Sequence, residues 1–216
     1  MTFSKINTTV LLENLGFKAL NPMQEAMLSA SSENPNLLLL APTGSGKTFA
    51  YLASILSQLE NKPGVQALLL APTRELVLQI ENVLKMMKLP CKVNACYGGH
   101  KFSVERQNFT SPPTILIGTP GRIEDHIRRG TFNPKTISRI VFDEFDKALE
   151  FGFSKQMENI LKEIPNCKGK LLVSATQAIE IPQYLELNEI HTVDFSEAEK
   201  GALTSQQITT LIDEKT

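Results

Sequence analysis

Residues 41–48 read Ala-Pro-Thr-Gly-Ser-Gly-Lys-Thr and follow directly on the apolar run Leu37-Leu38-Leu39-Leu40. This is the chemistry of a phosphate-binding loop: a buried strand, a glycine-bearing turn whose backbone N–H groups face an anion, and a helix whose N-terminus adds its dipole. Thr43, Gly44, Ser45 and Gly46 would form the cradle and Lys47 would reach the β and γ phosphates, while the Thr48 hydroxyl would help to hold Mg²⁺. Further along, Ile140-Val141-Phe142 runs into Asp143-Glu144. An acidic pair at the carboxyl end of a strand stands where open α/β sheets place their ligands, so Asp143 can face the metal, largely through water, while Glu144 polarises the attacking water. The two stretches together describe a nucleoside triphosphatase. The plainer alternative for the loop is a strand-to-helix turn in which Gly44 and Gly46 serve only φ > 0 or close packing. Ala41 departs from the general pattern G-x-x-x-x-G-K-[ST], which starts with glycine, but Gly44, Gly46, Lys47 and Thr48 carry the phosphate approach and the charge.

Positioning such residues requires a sheet, and the chain supplies short apolar runs at 37–40, 67–70, 114–117, 140–142 and 171–173, with helical patterns between them such as 47–59 and 74–87. Runs of aliphatic residues bounded by Pro and Gly mark strands buried on both faces, and their alternation with helices predicts a doubly wound parallel α/β sheet. Each polar loop then leaves the carboxyl end of its strand, so 41–48, 72–76, 119–122, 143–144 and 174–176 share one edge. Ahead of the first strand, 10–15 and 24–30 read as short helices joined through Gly16-Phe17 and Asn21-Pro22.

At 216 residues and 42% apolar content the chain can fill one substantial α/β core. Apolar runs are far shorter than a bilayer span and the N-terminus has no signal-peptide core, which points away from the membrane. Cys91, Cys96 and Cys167 form an odd set without paired C-x-x-C spacing, consistent with reduced thiols in the cytoplasm. A net charge of −1 and a pI near 6.3 argue against a purely electrostatic nucleic-acid binder.

Phe17, Gln24, residues 41–48, 72–76, Gly98-Gly99, 119–122, 143–146 and 174–176 occur in an order and approximate spacing that resembles the DEAD-box RNA helicases. The resemblance covers nearly the whole chain and accounts for Ala41, since these helicases use A-x-T-G-x-G-K-T. It implies a RecA-like P-loop domain: residues 1–33 as adenine-recognition helices, 34–196 as the ATP-binding domain, and 197–216 as an interdomain linker. Gln24 would read the adenine edge, because a side-chain amide offers a donor and an acceptor together. Phe17, with Phe3, would pack near the base. A surface helix position for Gln24 and a core position for Phe17 are the plainer readings. Lys47, Asp143 and Glu144 would carry the hydrolysis. Pro72, Thr73, Arg74, Gly99, Thr119 and Arg122 would lie along an RNA backbone, where hydroxyls, N–H groups and guanidinium suit phosphate and ribose. Helix capping by Thr73 and Thr119 is compatible with this. Ser174 and Thr176 would hydrogen-bond Asp146 and couple nucleotide state to RNA grip, although Ser-Ala-Thr after a strand is also an ordinary turn.

Two departures stand out. Asp143-Glu144-Phe145-Asp146 carries Phe where the family has Ala, so either a neighbour is smaller or the ring turns outward; overpacking otherwise costs ~1–3 kcal/mol. A rearranged pocket beside retained metal chemistry is the expectation. Leu20-Asn21-Pro22-Met23-Gln24 also differs from the family's Pro-Thr before the second proline, though Asn21 can cap the helix that Gln24 opens. The resemblance further implies a second RecA-like domain that supplies arginines to the γ-phosphate, and nothing after 174–176 provides one. The expected activity is RNA-stimulated ATP hydrolysis coupled to local duplex separation, by a monomer. The alternative is a nucleotide-gated RNA clamp or annealing module without productive unwinding. A DNA helicase is disfavoured by Gln24 and 119–122, and a small-molecule kinase by the RNA-facing loops.

Overall fold

Four consecutive leucines have no polar face to turn toward water, so Leu37–Leu40 (β1) must be covered on both sides. In the computed structural model, which describes residues 8–99, 101–176, 180–197 and the backbone of 206–211, it is, and so is Ala67–Leu70 (β2). Alternate residues of β1 enter opposite cores. Leu37 and Leu39 join one with Met23, Met27, Tyr51 and Ile80; Leu38 and Leu40 join the other with Leu68, Ile123, Phe142 and Ile160.

The remaining strands are β3 (Val93–Cys96), β4 (Ile115–Gly118), β5 (Arg139–Phe142), β6 (Gly169–Ser174), β7 (Glu189–Asp194) and β8 (Gln206–Leu211). They form one sheet of order β3-β4-β2-β5-β6-β1-β7-β8. β1 to β7 are parallel and β8 runs antiparallel against β7. The helices are α1 (Thr8–Asn14), α2 (Pro22–Glu33), α3 (Lys47–Leu56), α4 (Arg74–Met86), α5 (Phe102–Gln107), α6 (Pro120–Arg128), α7 (Phe145–Glu150) and α8 (Ser154–Glu163). The register sets the ends of β1 and β6 level, with Leu40 beside Ser174, and Ala41 N–H donates to the Ser174 carbonyl at 3.2 Å. Phe142 ends β5 beside Leu172 of β6. The phosphate loop, the acidic pair and the Ser-Ala-Thr turn therefore leave neighbouring strands on one edge.

Three strands escaped the reading of apolar runs. β3 alternates half-buried and buried residues and includes the polar Asn94, β7 carries Glu189, His191 and Asp194, and neither is an aliphatic block. β8 falls in the segment expected to be a linker, where its pairing partner β7 supplies the order that periodicity does not.

Candidate nucleotide site

α2 opens with Asn21 as its N-cap, Pro22 in its first turn and a reciprocal capping box with Gln24: the Asn21 side chain accepts from Gln24 N–H at 2.9 Å, and Gln24 Oε1 accepts from Asn21 N–H at 3.0 Å. The remaining amide donors reach the phosphate loop. Asn21 Nδ2 donates to Ser45 O at 3.0 Å and Gln24 Nε2 to Gly46 O at 3.4 Å. Gln24 is only 7% exposed, so the surface-helix alternative does not hold. Its amide keeps one lone pair and one N–H beyond these bonds, which is the capacity an adenine edge requires. Phe17 is 57% exposed, which overturns the core alternative and leaves an open aromatic face. Phe3 lies outside the described residues.

The loop itself turns through Gly44 and Gly46, both at positive φ (82° and 91°). Gly46 has a second reason to be glycine: an added Cβ would meet Gln24 Nε2 at 2.7 Å. As N-cap of α3, Gly46 offers no side chain to the helix's first N–H groups, which leaves them for an anion. Thr43 is exposed, and Ser45 Oγ is buried with no partner among the described residues. Lys47 Nζ folds over the loop, donating to Ala41 O at 2.6 Å and Pro42 O at 2.9 Å. Burial holds the Lys47 ammonium below its usual pKa, while Asp143, Glu144 and Asp146 pull it back up. An unpartnered hydroxyl, a partly desolvated ammonium and an uncapped helix end are the groups that a polyphosphate would satisfy.

Asp143 is buried at the end of β5, its Oδ1 accepting Glu144 N–H at 3.0 Å and its Oδ2 accepting the Tyr51 hydroxyl at 3.0 Å. Burial, with Glu144 adding repulsion, pushes its carboxyl up to about 6 against the opposing hydrogen bonds and Lys47. Tyr51 stands one turn after Thr48 on α3, and its phenol pKa is raised well above normal, first by burial and then by Asp143. Thr48 acts on the same phenol in the opposite direction, so one buried hydroxyl lies between the two residues expected to hold Mg²⁺. A buried carboxylate facing a hydroxyl on the neighbouring helix is an oxygen donor set suited to Mg²⁺. Tyr51 was not singled out from the sequence, although its i+3 spacing from Thr48 places it on the same helix face. Glu144 adopts the left-handed region, φ 46° and ψ 54°, where it caps α7. A non-glycine residue held there is strained, and such strain gathers at functional sites.

Phe145 does not turn outward. Its ring is fully buried beneath the sheet, edge-on to Phe142 at a centroid distance of 5.7 Å. Asp146 Oδ2 accepts from Thr176 Oγ1 at 3.1 Å, while its Oδ1 is buried without a partner among the described residues. Ser174 corrects the expectation made for it. Wholly buried at the end of β6, it donates its hydroxyl to Thr176 O and accepts Thr176 N–H, both at 3.1 Å, and so closes the turn instead of reaching Asp146.

The loops expected to face RNA sit on the same edge, beyond β2, β3 and β4. Pro72 is buried in the loop after β2, where it can shape the backbone. Thr73 caps α4 by accepting Leu76 N–H at 3.3 Å, and Arg74 is exposed with its guanidinium carbon 5.0 Å from the centre of the Tyr97 ring. An added Cβ on Gly99 would meet Arg74 Nη1 at 3.5 Å. Thr119 holds the N-cap position of α6 without a side-chain capping bond, so its hydroxyl is not committed to the helix. Arg122 donates its Nε to Glu105 Oε2 at 2.7 Å.

A sheet with a phosphate loop after β1 and an acidic pair after β5 defines a P-loop nucleotide-binding domain. The family model "DEAD/DEAH box helicase" matches residues 21–184, and the chain belongs to that family. It is 34% identical over 209 residues to the ATP-dependent RNA helicase CshA of Listeria monocytogenes, covering 94% of this chain and 40% of that protein. It is 36% identical over 169 residues to the ATP-dependent RNA helicase DbpA of Escherichia coli, covering 76% and 37%. A DEAD box protein from Methanococcus jannaschii superposes with a TM-score of 0.74 at 32% identity, covering 84% of this chain and 50% of that one. The chain thus spans about 40% of the length of such curated relatives. The fold is RecA-like. Among the described residues no helix is long and apolar enough to cross a membrane.

Proposed function

We propose that this chain is the N-terminal, ATP-binding domain of an ATP-dependent RNA helicase, in which RNA-stimulated ATP hydrolysis drives local duplex separation. The observation that carries the proposal is the meeting of Lys47, Asp143, Glu144 and Asp146 in one electrostatic cluster at the ends of β1 and β5, with α2 bonded onto the same loop through Asn21 and Gln24. Gln24 and Phe17 bind the adenine, Lys47 and the N–H groups of the loop hold the phosphates, and Glu144 orients and deprotonates the attacking water. Thr48 and Asp143 would hold Mg²⁺, largely through water, and the ion would supply neutralisation of phosphate charge. Thr73, Arg74, Gly99, Thr119 and Arg122 grip the RNA backbone without reading bases. The Thr176–Asp146 bond lies between the acidic pair and the β6 turn, where it links the two functions. A second RecA-like domain completes the site, and the molecule works as a cytoplasmic monomer.

The clamp alternative drew on Phe145 and on the weakly acidic charge, which is only −1. That ring packs into the core and leaves Asp143, Glu144 and Asp146 in place, so no observation favours it. The test is steady-state ATP hydrolysis by the chain joined to its second domain, with no nucleic acid, single-stranded RNA or single-stranded DNA, beside the Glu144→Gln variant. Stimulation by RNA alone that disappears in Glu144→Gln, with nucleotide affinity kept, is the expected result. Tight ATP binding with no stimulated turnover would overturn the helicase reading in favour of the clamp.

A further inference from the structure

Outside the nucleotide site, the Glu105 carboxylate gathers donors from three separate segments. It is buried on α5 and accepts three donors from three places: Tyr97 N–H at 3.3 Å, Arg122 Nε at 2.7 Å and His126 Nε2 at 2.8 Å. Tyr97 directly precedes Gly98-Gly99 and supports the Arg74 guanidinium on its ring. Arg122 and His126 belong to the α6 segment that follows Thr119. Phe102, one turn before Glu105 on α5, closes the cluster by stacking on His126 at 4.6 Å with the Arg122 guanidinium 5.3 Å from its centre. Every loop proposed to touch RNA on this side of the sheet therefore joins, directly or through one residue, at a single carboxylate.

Cys96, Glu105 and His126 bring ligand-type atoms within 4.8 Å of one another, the grouping a metal site would use. Arg122 already supplies the cation, however, and His126 has settled partners at both ring nitrogens, Glu105 on Nε2 and Thr131 Oγ1 on Nδ1 at 3.3 Å. The cluster is an ion-pair hub.

We infer that Glu105 is a positioning residue for RNA binding: its carboxylate locks the Gly98-Gly99 loop and the Arg122 guanidinium into one rigid, pre-formed surface for the ribose-phosphate backbone. This rests on the RNA-backbone role proposed above for Arg74, Gly99 and Arg122. The physical basis is preorganisation. A long, rotamer-rich arginine held at its Nε by a buried anion loses little further freedom when it meets a phosphate, and charge-assisted hydrogen bonds give it a defined direction.

The test uses the whole chain and a fluorescein-labelled single-stranded oligouridylate, with anisotropy read across a salt series and thermal unfolding and labelled-ADP affinity read on the same samples. Glu105→Ala should weaken RNA binding about tenfold, the scale of one charge-assisted hydrogen bond, and flatten the salt dependence by about 0.7, one single-strand phosphate contact. Glu105→Gln can set its amide oxygen where Oε2 stands and still accept from Arg122 Nε and His126 Nε2, giving up only the bond from Tyr97 N–H, so it should stay within about twofold of wild type by the same hydrogen-bond inventory. Arg122→Ala should resemble Glu105→Ala, and the double variant should lose nothing more, because residues that act through one another are not additive. ADP affinity should be unchanged throughout. Wild-type RNA affinity in a folded Glu105→Ala, a Glu105→Gln as weak as the alanine variant, or additive losses in the double variant would each overturn the positioning role. A wild-type chain that binds ADP but no RNA would instead overturn the underlying RNA reading, and this inference with it.

Discussion

Asp143 is a group whose chemistry is set by its surroundings. Burial lifts its carboxyl to about 6, so between its unfolded value and pH 6 the folded chain binds a proton that the unfolded chain has lost. The resulting stabilisation is fully present below the unfolded pKa and is lost as pH rises through about 6. Mg²⁺ reverses the preference because it needs the carboxylate, so metal-dependent nucleotide affinity should fall about tenfold per unit below pH 6 and level off above it. Labelled-ADP titrations across this range, with and without Mg²⁺, check the point: metal-free binding should lack that inflection, and Asp143→Asn should lose it. Phe145 is the opposite case, a side chain beside the chemistry whose work is packing. Phe145→Ala restores the family's usual tetrapeptide yet empties a fully buried site against Phe142, and should cost ~3–5 kcal/mol in urea unfolding. A loss below about 1 kcal/mol would show that the neighbours collapse to fill the space.

The union of α2 with the phosphate loop explains how a short helix ahead of the sheet can sense nucleotide. Asn21 and Gln24 first satisfy one another as a capping box and then each donate one amide N–H to the carbonyls of Ser45 and Gly46. A loop movement on phosphate binding would thereby be transmitted to the helix that carries the amide proposed to read adenine. Gly46→Ala attacks this joint twice, through a backbone at φ 91° and a 2.7 Å approach to Gln24 Nε2. It should abolish measurable ADP binding and destabilise the fold by ~1–2 kcal/mol, the cost of a left-handed alanine, as read by calorimetry and thermal melting. Gly44→Ala shares the positive φ but meets nothing within 4 Å, so its damage should be the smaller of the two.

For the molecule as a whole, the edge of the sheet gathers the loops proposed to bind nucleotide and RNA side by side on one open face. Hydrolysis in related phosphoryl transfer gains about 10³–10⁵ from an arginine supplied across the nucleotide. This chain alone should therefore bind ADP and ATP yet turn over slowly, and joining it to a second RecA-like domain should restore a rate of that order with RNA, measured by phosphate release. Much of the architecture was legible before any coordinates. Leu37–Leu40 and Ala67–Leu70 are unbroken aliphatic runs, and burial on both faces is the only environment that rewards them, so the parallel sheet and its functional edge followed from local pattern. The placing of Lys47, Thr48, Asp143 and Glu144 at one edge of the sheet was legible because the phosphate loop and the acidic pair each follow directly on an apolar run that forms a strand. β3, β7 and β8 were not, since their alternation is weak and their order comes from partners distant in the chain. The meetings of Tyr51 with Asp143 and of Glu105 with Arg122 join residues far apart in sequence, and the inward turn of Phe145 and the retreat of Ser174 into its own turn follow from the buried surroundings of those two side chains. Residue type and spacing announce chemistry that is local; a hydrogen bond across the fold exists only once packing has chosen which groups share a desolvated space.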